Sequence, residues 1–174
     1  MPLPIADNWF ETHRYNDDIT QIFEPHVIPD IHCNIWHVRG RDHDLLLDTG
    51  MGVVSLREHV ALVTEKPVFC VASHSHFDHV GSNHEFDERL MHAAEAGILT
   101  TPTQDNTVTS NYVTADIFTA APYAGFNVDT YEIKAAPPTR LVADGDIIDL
   151  GDRYFEVLHL PSGKRPPARC SRAM

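Results

Sequence analysis

Cysteine is scarce in this chain: Cys33, Cys70 and Cys170 are the only three in 174 residues. An odd number at such wide spacing does not make a disulfide framework. Positive charge is short as well, 13 Lys and Arg against 25 Asp and Glu, a formal net charge of −12. That balance argues against nucleic acid or an anionic membrane as partner, since both call for clustered basic side chains. No apolar run approaches the roughly 18 residues that span a bilayer. The opening Met-Pro-Leu-Pro-Ile-Ala-Asp lacks the basic and apolar regions of a secretory signal. There is no internal repeat and no low-complexity segment. These absences lead to the expectation of a soluble cytoplasmic protein, one domain by length, with 43% hydrophobic residues to build a core.

What is present alternates between short apolar runs and turn residues. Ile19–Phe23 and Asn34–Val38 read as half-buried strands, and Asp44–Leu47 as a strand that stops at Asp48-Thr49-Gly50. Val54 to Val63 fits a short amphipathic helix, and Pro67–Ala72 a buried strand. Leu90–His92 reads as a further short strand, and Ala93–Gly97 as a helical turn. Between Leu99 and Pro138 the signals weaken to loops and short helices, a candidate flap. Ile147–Leu150 and Tyr154–Leu160 then read as strands. The order of these elements implies a mixed α/β domain.

Charge is uneven. Residues 162–174 hold Lys164, Arg165, Arg169 and Arg172 with no acid, leaving 9 basic against 25 acidic groups before them, a formal −16. This break divides the chain into a domain, 1–161, and a basic Pro/Arg-rich tail, 162–174, expected to be disordered. So abrupt a change also suggests a departure from an ancestral reading frame near Pro161.

The chemistry gathers in His74-Ser75-His76-Phe77-Asp78-His79, directly after the buried strand and before Gly81. Zinc binds imidazole nitrogen and carboxylate oxygen at about 2.0–2.2 Å, and catalytic sites keep a position open for water. On an irregular loop His74 and His76 can share one ion, while Asp78 and His79 can serve a second a few Å away. Two ions roughly 3.5–4 Å apart hold a hydroxide and polarise a carbonyl or phosphoryl oxygen. The bland alternative is a surface loop rich in histidine. Asp and His at fixed spacing, after a strand and before glycine, favour the metal reading.

These residues resemble the metallo-β-lactamase superfamily, whose signature is His-x-His-x-Asp-His at this place in the fold. Leu45-Leu46-Leu47-Asp48-Thr49-Gly50 is similar to the family's earlier strand ending in Asp-x-Gly. The resemblance implies an αββα sandwich, two mixed sheets face to face with helices outside, here lacking its C-terminal strands. It assigns His74 and His76 to one metal and Asp78 and His79 to the other. It also has Asp78 position the nucleophilic water and Asp48 support the loop from behind. Zinc is implied, as one or two ions. His76 stands where the diiron branch has Glu, although mononuclear iron enzymes share the all-His form.

Two departures bear on activity. The family's next motif reads Pro-Gly-His, yet after Leu158-His159-Leu160-Pro161-Ser162-Gly163 stands Lys164. No Asp, Glu or His follows His159 to supply later ligands. His159 and His84, weighed as substitutes, are more simply ordinary histidines. The chain thus reads as the N-terminal two-thirds of a zinc hydrolase for a small ester, thioester or lactam. The alternative is a non-catalytic half-domain that binds metal weakly. An incomplete second sheet would leave an exposed edge for self-association.

Overall fold

The computed structural model describes residues 3–161 and 168–170, with 161 and 168–170 described by backbone alone. The chain begins with a hairpin of β1 (Glu11–Arg14) and β2 (Ile19–Phe23). Its turn is closed by Asn16, whose Oδ1 accepts from the Asp18 and Ile19 amides at 2.9 and 2.8 Å. β3 (Ile35–Val38) and β4 (Asp44–Leu47) continue the antiparallel run.

From β4 onward the pairing becomes parallel, because each return passes through a crossover that carries helix. α1 (Leu56–His59) leads to β5 (Val68–Val71), and α2 (Phe77–Val80) to β6 (Glu88–His92). α3 (Ala96–Thr100) and α4 (Thr109–Tyr112) precede β7 (Arg140–Val142). The seven strands form one mixed sheet in sequence order. β8 (Ile147–Asp149) pairs antiparallel with β9 (Tyr154–Glu156), and β10 (His159–Pro161) with β11 (Ala168–Cys170).

Alternation along the parallel strands divides the core in two. Leu46, Cys70 and Met91 face the larger cluster, with Ile22, Ile35, Leu56, Phe77 and Val80. Leu45, Val71 and Leu90 face the other side, where Ile148, Leu150 and Val157 cover them. The result is the expected mixed α/β architecture around a large mixed sheet.

Three details depart from the sequence reading. The helix over 54–63 is interrupted: Val60 adopts an extended conformation (φ −120°, ψ 92°) between α1 and a 3-10 turn at Ala61–Thr64. Its β-branched side chain is buried at that break. The strand over 154–160 is two strands, Tyr154–Glu156 pairing with β8 and His159–Pro161 with β11, and between them Val157 bonds the Asp146 carbonyl and the Gly145 amide, both at 2.8 Å. The helical turn over 93–97 lies later, at Ala96–Thr100. The stretch 99–138 holds short helices between loops, as expected, and bridges from Ala121 and Phe118 tie it to Ile5 and Val27. The tail from 162 falls outside the described residues except for Ala168–Cys170 in β11.

Candidate metal centre at the ends of the parallel strands

The C-terminal ends of β4, β5 and β6 lie side by side, and the site is built where their ladder stops. The last regular bonds run from the Asp48 amide to the Val71 carbonyl, 2.9 Å, and from the Ala72 amide to the Leu90 carbonyl, 3.0 Å. Asp48 then turns into the left-handed region (φ 65°), which aspartate tolerates better than most residues. Its Oδ1 accepts from the Ser73 amide at 2.7 Å, and its Oδ2 from Ser73 Oγ at 2.8 Å. Only 5% of Asp48 is exposed.

The following loop docks on the histidine segment. The Thr49 amide donates to the His79 carbonyl and the Gly81 amide to the Gly50 carbonyl, both at 2.8 Å. Thr49 Oγ1 donates to Asn83 Oδ1, also at 2.8 Å. Behind it, the fully buried Glu24 accepts from Trp9 Nε1 at 2.8 Å and from the Met51 amide at 2.9 Å. Burial pushes the Glu24 carboxyl up to about 7, against the pull of those two donors.

Three imidazoles converge in front of this loop. The His74 ring lies 4.5 Å from that of His76 and 4.0 Å from that of His79, centroid to centroid. His79 is held at both nitrogens, with Nδ1 2.8 Å from Asp48 Oδ2 and Nε2 3.2 Å from Asp78 Oδ2. Burial pushes the His79 imidazole down, but the bonds to Asp48 and Asp78 outweigh it and hold the cation well above the usual range. Burial pushes the Asp78 carboxyl up, and the His79 bond and charge bring it below its usual value. Burial, with the His79 charge beside it, pulls His74 down to about 4. Ser73 Oγ has one hydrogen, directed at Asp48, so its 3.0 Å contact with His74 Nδ1 calls for a proton on that nitrogen. His74 Nε2 is thereby left with a lone pair.

One pair in this set has the spacing of metal ligands. Two ligands on one tetrahedral zinc, each about 2.0–2.1 Å away, stand roughly 3.3 Å apart. The 3.2 Å between His79 Nε2 and Asp78 Oδ2 matches that separation. The Cys33 thiol offers a second possibility on the opposite edge of the ring, 3.5 Å from His79 Nδ1 and grouped with Asp48 and His79. Burial pushes that thiol up to about 12, so it stays protonated and packs behind the ring.

His84 and His159, the spare candidates, have other partners. His84 Nδ1 bonds the Gly81 carbonyl at 3.1 Å, and the His159 ring stacks on His92 at 3.8 Å. Lys164 lies outside the described residues. Sequence reasoning missed Glu24, Ser73 and Glu95 and gave Cys33 no place in the site. Ser73 adjoins the motif and could have been suspected; the other three reach the site from 20 or more positions away.

A model of the Metallo-beta-lactamase superfamily matches residues 28–163. The acyl-coenzyme A thioesterase MBLAC2 of Bos taurus is 34% identical over 172 residues, covering 92% of this chain and 61% of that protein. The Homo sapiens protein of the same name is 33% identical with the same coverage. The chain thus spans about three-fifths of these relatives. Among solved structures, the subclass B3 metallo-beta-lactamase BJP-1 of Bradyrhizobium japonicum has a TM-score of 0.60 at 17% identity, covering 89% of this chain and 55% of that one. The class B3 di-zinc metallo-beta-lactamase LRA-12, from an Alaskan soil metagenome, has a TM-score of 0.58 at 17% identity, covering 98% and 61%. The match across residues 28–163 takes in Asp48 and the whole histidine segment, and by it this chain belongs to the metallo-beta-lactamase superfamily.

Proposed function

We propose that the chain is a zinc-dependent hydrolase of small thioesters, with His74 and His76 holding one ion and Asp78 and His79 a second. The observation that carries this reading is the Asp48–His79–Asp78 line, in which a buried carboxylate fixes one ring nitrogen and turns the other toward a second carboxylate. That arrangement sets the tautomer and direction of a metal-binding imidazole. Thioester is preferred over ester or lactam because the MBLAC2 relatives carry the name acyl-coenzyme A thioesterase.

Bound zinc supplies a Lewis acid for the substrate carbonyl and makes water a nucleophile at neutral pH. The chain's own residues do the positioning. Asp48 accepts the proton of His79 Nδ1, which would leave Nε2 to hold a bound ion. Ser73 does the same for His74 by accepting at Nδ1. Asp78, ionised because its carboxyl lies below the usual range, orients the attacking water with its carboxylate.

The second reading, a half-domain that binds metal weakly without turnover, draws support from Lys164, which stands where the resemblance calls for a histidine. Such a half-domain would also self-associate through exposed apolar side chains such as Leu141, Ile147, Tyr154 and Leu160. Metal analysis with an acyl-CoA hydrolysis assay separates the two. Two zinc ions per chain with turnover that His76→Ala abolishes support the hydrolase. Less than one loosely held ion and background hydrolysis support the half-domain.

A further inference from the structure

We propose that Glu95 is a positioning residue for His74 and His76, an inference that rests on the metal-site reading above. The last ladder bonds of β5 among the described residues are those of Val71 and Ala72, and the Ser73 and Ser75 amides that follow bond side chains instead. Two carboxylates supply the acceptors. On the β4 side Asp48 Oδ1 accepts from the Ser73 amide at 2.7 Å. On the β6 side Glu95 Oε2 accepts from the Ser75 amide at 2.7 Å. The loop is therefore gripped at positions i and i+2, from opposite flanks, with His74 between the two grips and His76 directly after.

Gripping alternate amides fixes the intervening peptide planes. Ser75 is turned inward, 2% exposed, while His74 and His76 stay half-buried and share one side, their rings 4.5 Å apart. Glu95 is itself held rigidly. It sits between β6 and α3, its amide bonding the His92 carbonyl at 3.1 Å and its carbonyl the Ile98 amide at 2.9 Å. Only 2% of the residue is exposed. Placing a carboxylate there is costly unless donors meet it, and the Ser75 amide of the metal loop is one donor that does.

The test compares Glu95→Ala, which removes the acceptor, with Glu95→Gln, which retains one. Amide hydrogen exchange is followed in the metal-free protein, and zinc affinity by competition with a chromophoric chelator. In Glu95→Ala the Ser75 amide should exchange much faster while the Cys70 and Val71 amides keep their protection. Zinc affinity should fall by about 10–100-fold, the range for partners that orient ligands. Glu95→Gln should restore both to near wild type, which a general loss of stability would not predict. An unchanged Ser75 amide in Glu95→Ala, or wild-type zinc affinity in that variant, overturns the proposal. If the wild type itself takes up no zinc that His74→Ala abolishes, the metal-site reading fails instead. The Ser75 amide then still decides whether Glu95 holds the loop.

Discussion

Asp48 Oδ2 lies 2.8 Å from His79 Nδ1, a bond between residues 31 positions apart, one directly after β4 and the other in α2. It joins the two motifs that stand apart in the sequence, the Asp-Thr-Gly turn and the histidine cluster. Asp48→Ala should leave three donors without their acceptor: the Ser73 amide, Ser73 Oγ and His79 Nδ1. We expect zinc affinity to fall by about 10–100-fold. Asp48→Asn, which keeps an acceptor for only part of this set, should fall between. Chelator competition on the three proteins measures the series, and equal affinities would remove Asp48 from the site.

Metal should also act on folding. A ligand that binds only the folded chain stabilises it by about 2.7 kcal/mol when present at 100 times its Kd. Zinc should raise the thermal midpoint of the wild type, and a chelator should reverse the rise. His79→Ala should cancel most of the response because it removes a donor atom and the charge partner of both Asp48 and Asp78. Scanning calorimetry with and without zinc checks this. An equal zinc response in His79→Ala would place the ion elsewhere.

The parts of this site that the sequence displays are those set by local spacing. His74, His76, Asp78 and His79 follow one another within six positions, and Asp48 ends an apolar strand. Glu95 meets Ser75 across 20 positions, Glu24 meets Met51 across 27, and Cys33 meets His79 across 46. Only the folded sheet brings these together. The same contrast governs the strands. β5 announces itself by its apolar run, whereas β1, Glu-Thr-His-Arg, is exposed at every position and carries no apolar alternation. Its strand character comes from pairing with β2. β7 is three residues long after a proline-rich stretch, too short for a period to show.

Glu24 predicts a pH signature in the metal-free protein. Its carboxyl is raised from 4.5 to about 7 on folding, so the folded chain binds this proton more tightly than the unfolded one. The associated stability is complete below about pH 4.5 and declines as pH rises, levelling off above about 7. Across that window the unfolding free energy should drop by about 3 kcal/mol from this group alone. Glu24→Gln removes the titration but leaves one of the two N–H donors, Trp9 Nε1 or the Met51 amide, without an oxygen. The variant should therefore be less stable than the wild type at pH 5, with the gap narrowing or reversing by pH 8. Urea unfolding at a series of pH values tests it, and parallel profiles for the two proteins would contradict it.

The docking of the Asp48 loop on the histidine helix depends on two glycines meeting face to face. A Cβ at Gly81 would lie 2.0 Å from both the carbonyl carbon and the oxygen of Met51, and one at Gly52 would lie 2.3 Å from the Gly81 carbonyl carbon. These neighbours are backbone atoms, so no side chain can swing aside to make room. Gly52 also has a φ of +71°, which L side chains rarely adopt. Gly81→Ala should consequently push the 48–52 loop away from His79, lengthening the Asp48–His79 bond and the Thr49 contacts together. We expect a loss of about 3 kcal/mol or more, in the range reserved for overpacking and backbone strain, and weakened zinc binding with it. Gly97 provides the control: it lies in α3 with nothing within 4 Å of an added Cβ. Gly97→Ala should be neutral or stabilising by about 0.5–1 kcal/mol, because alanine favours helix over glycine. Denaturant unfolding of both variants measures the contrast. A Gly81→Ala protein as stable as Gly97→Ala would mean that the two loops separate without cost, and that the metal loop does not depend on the Asp48 turn for its position.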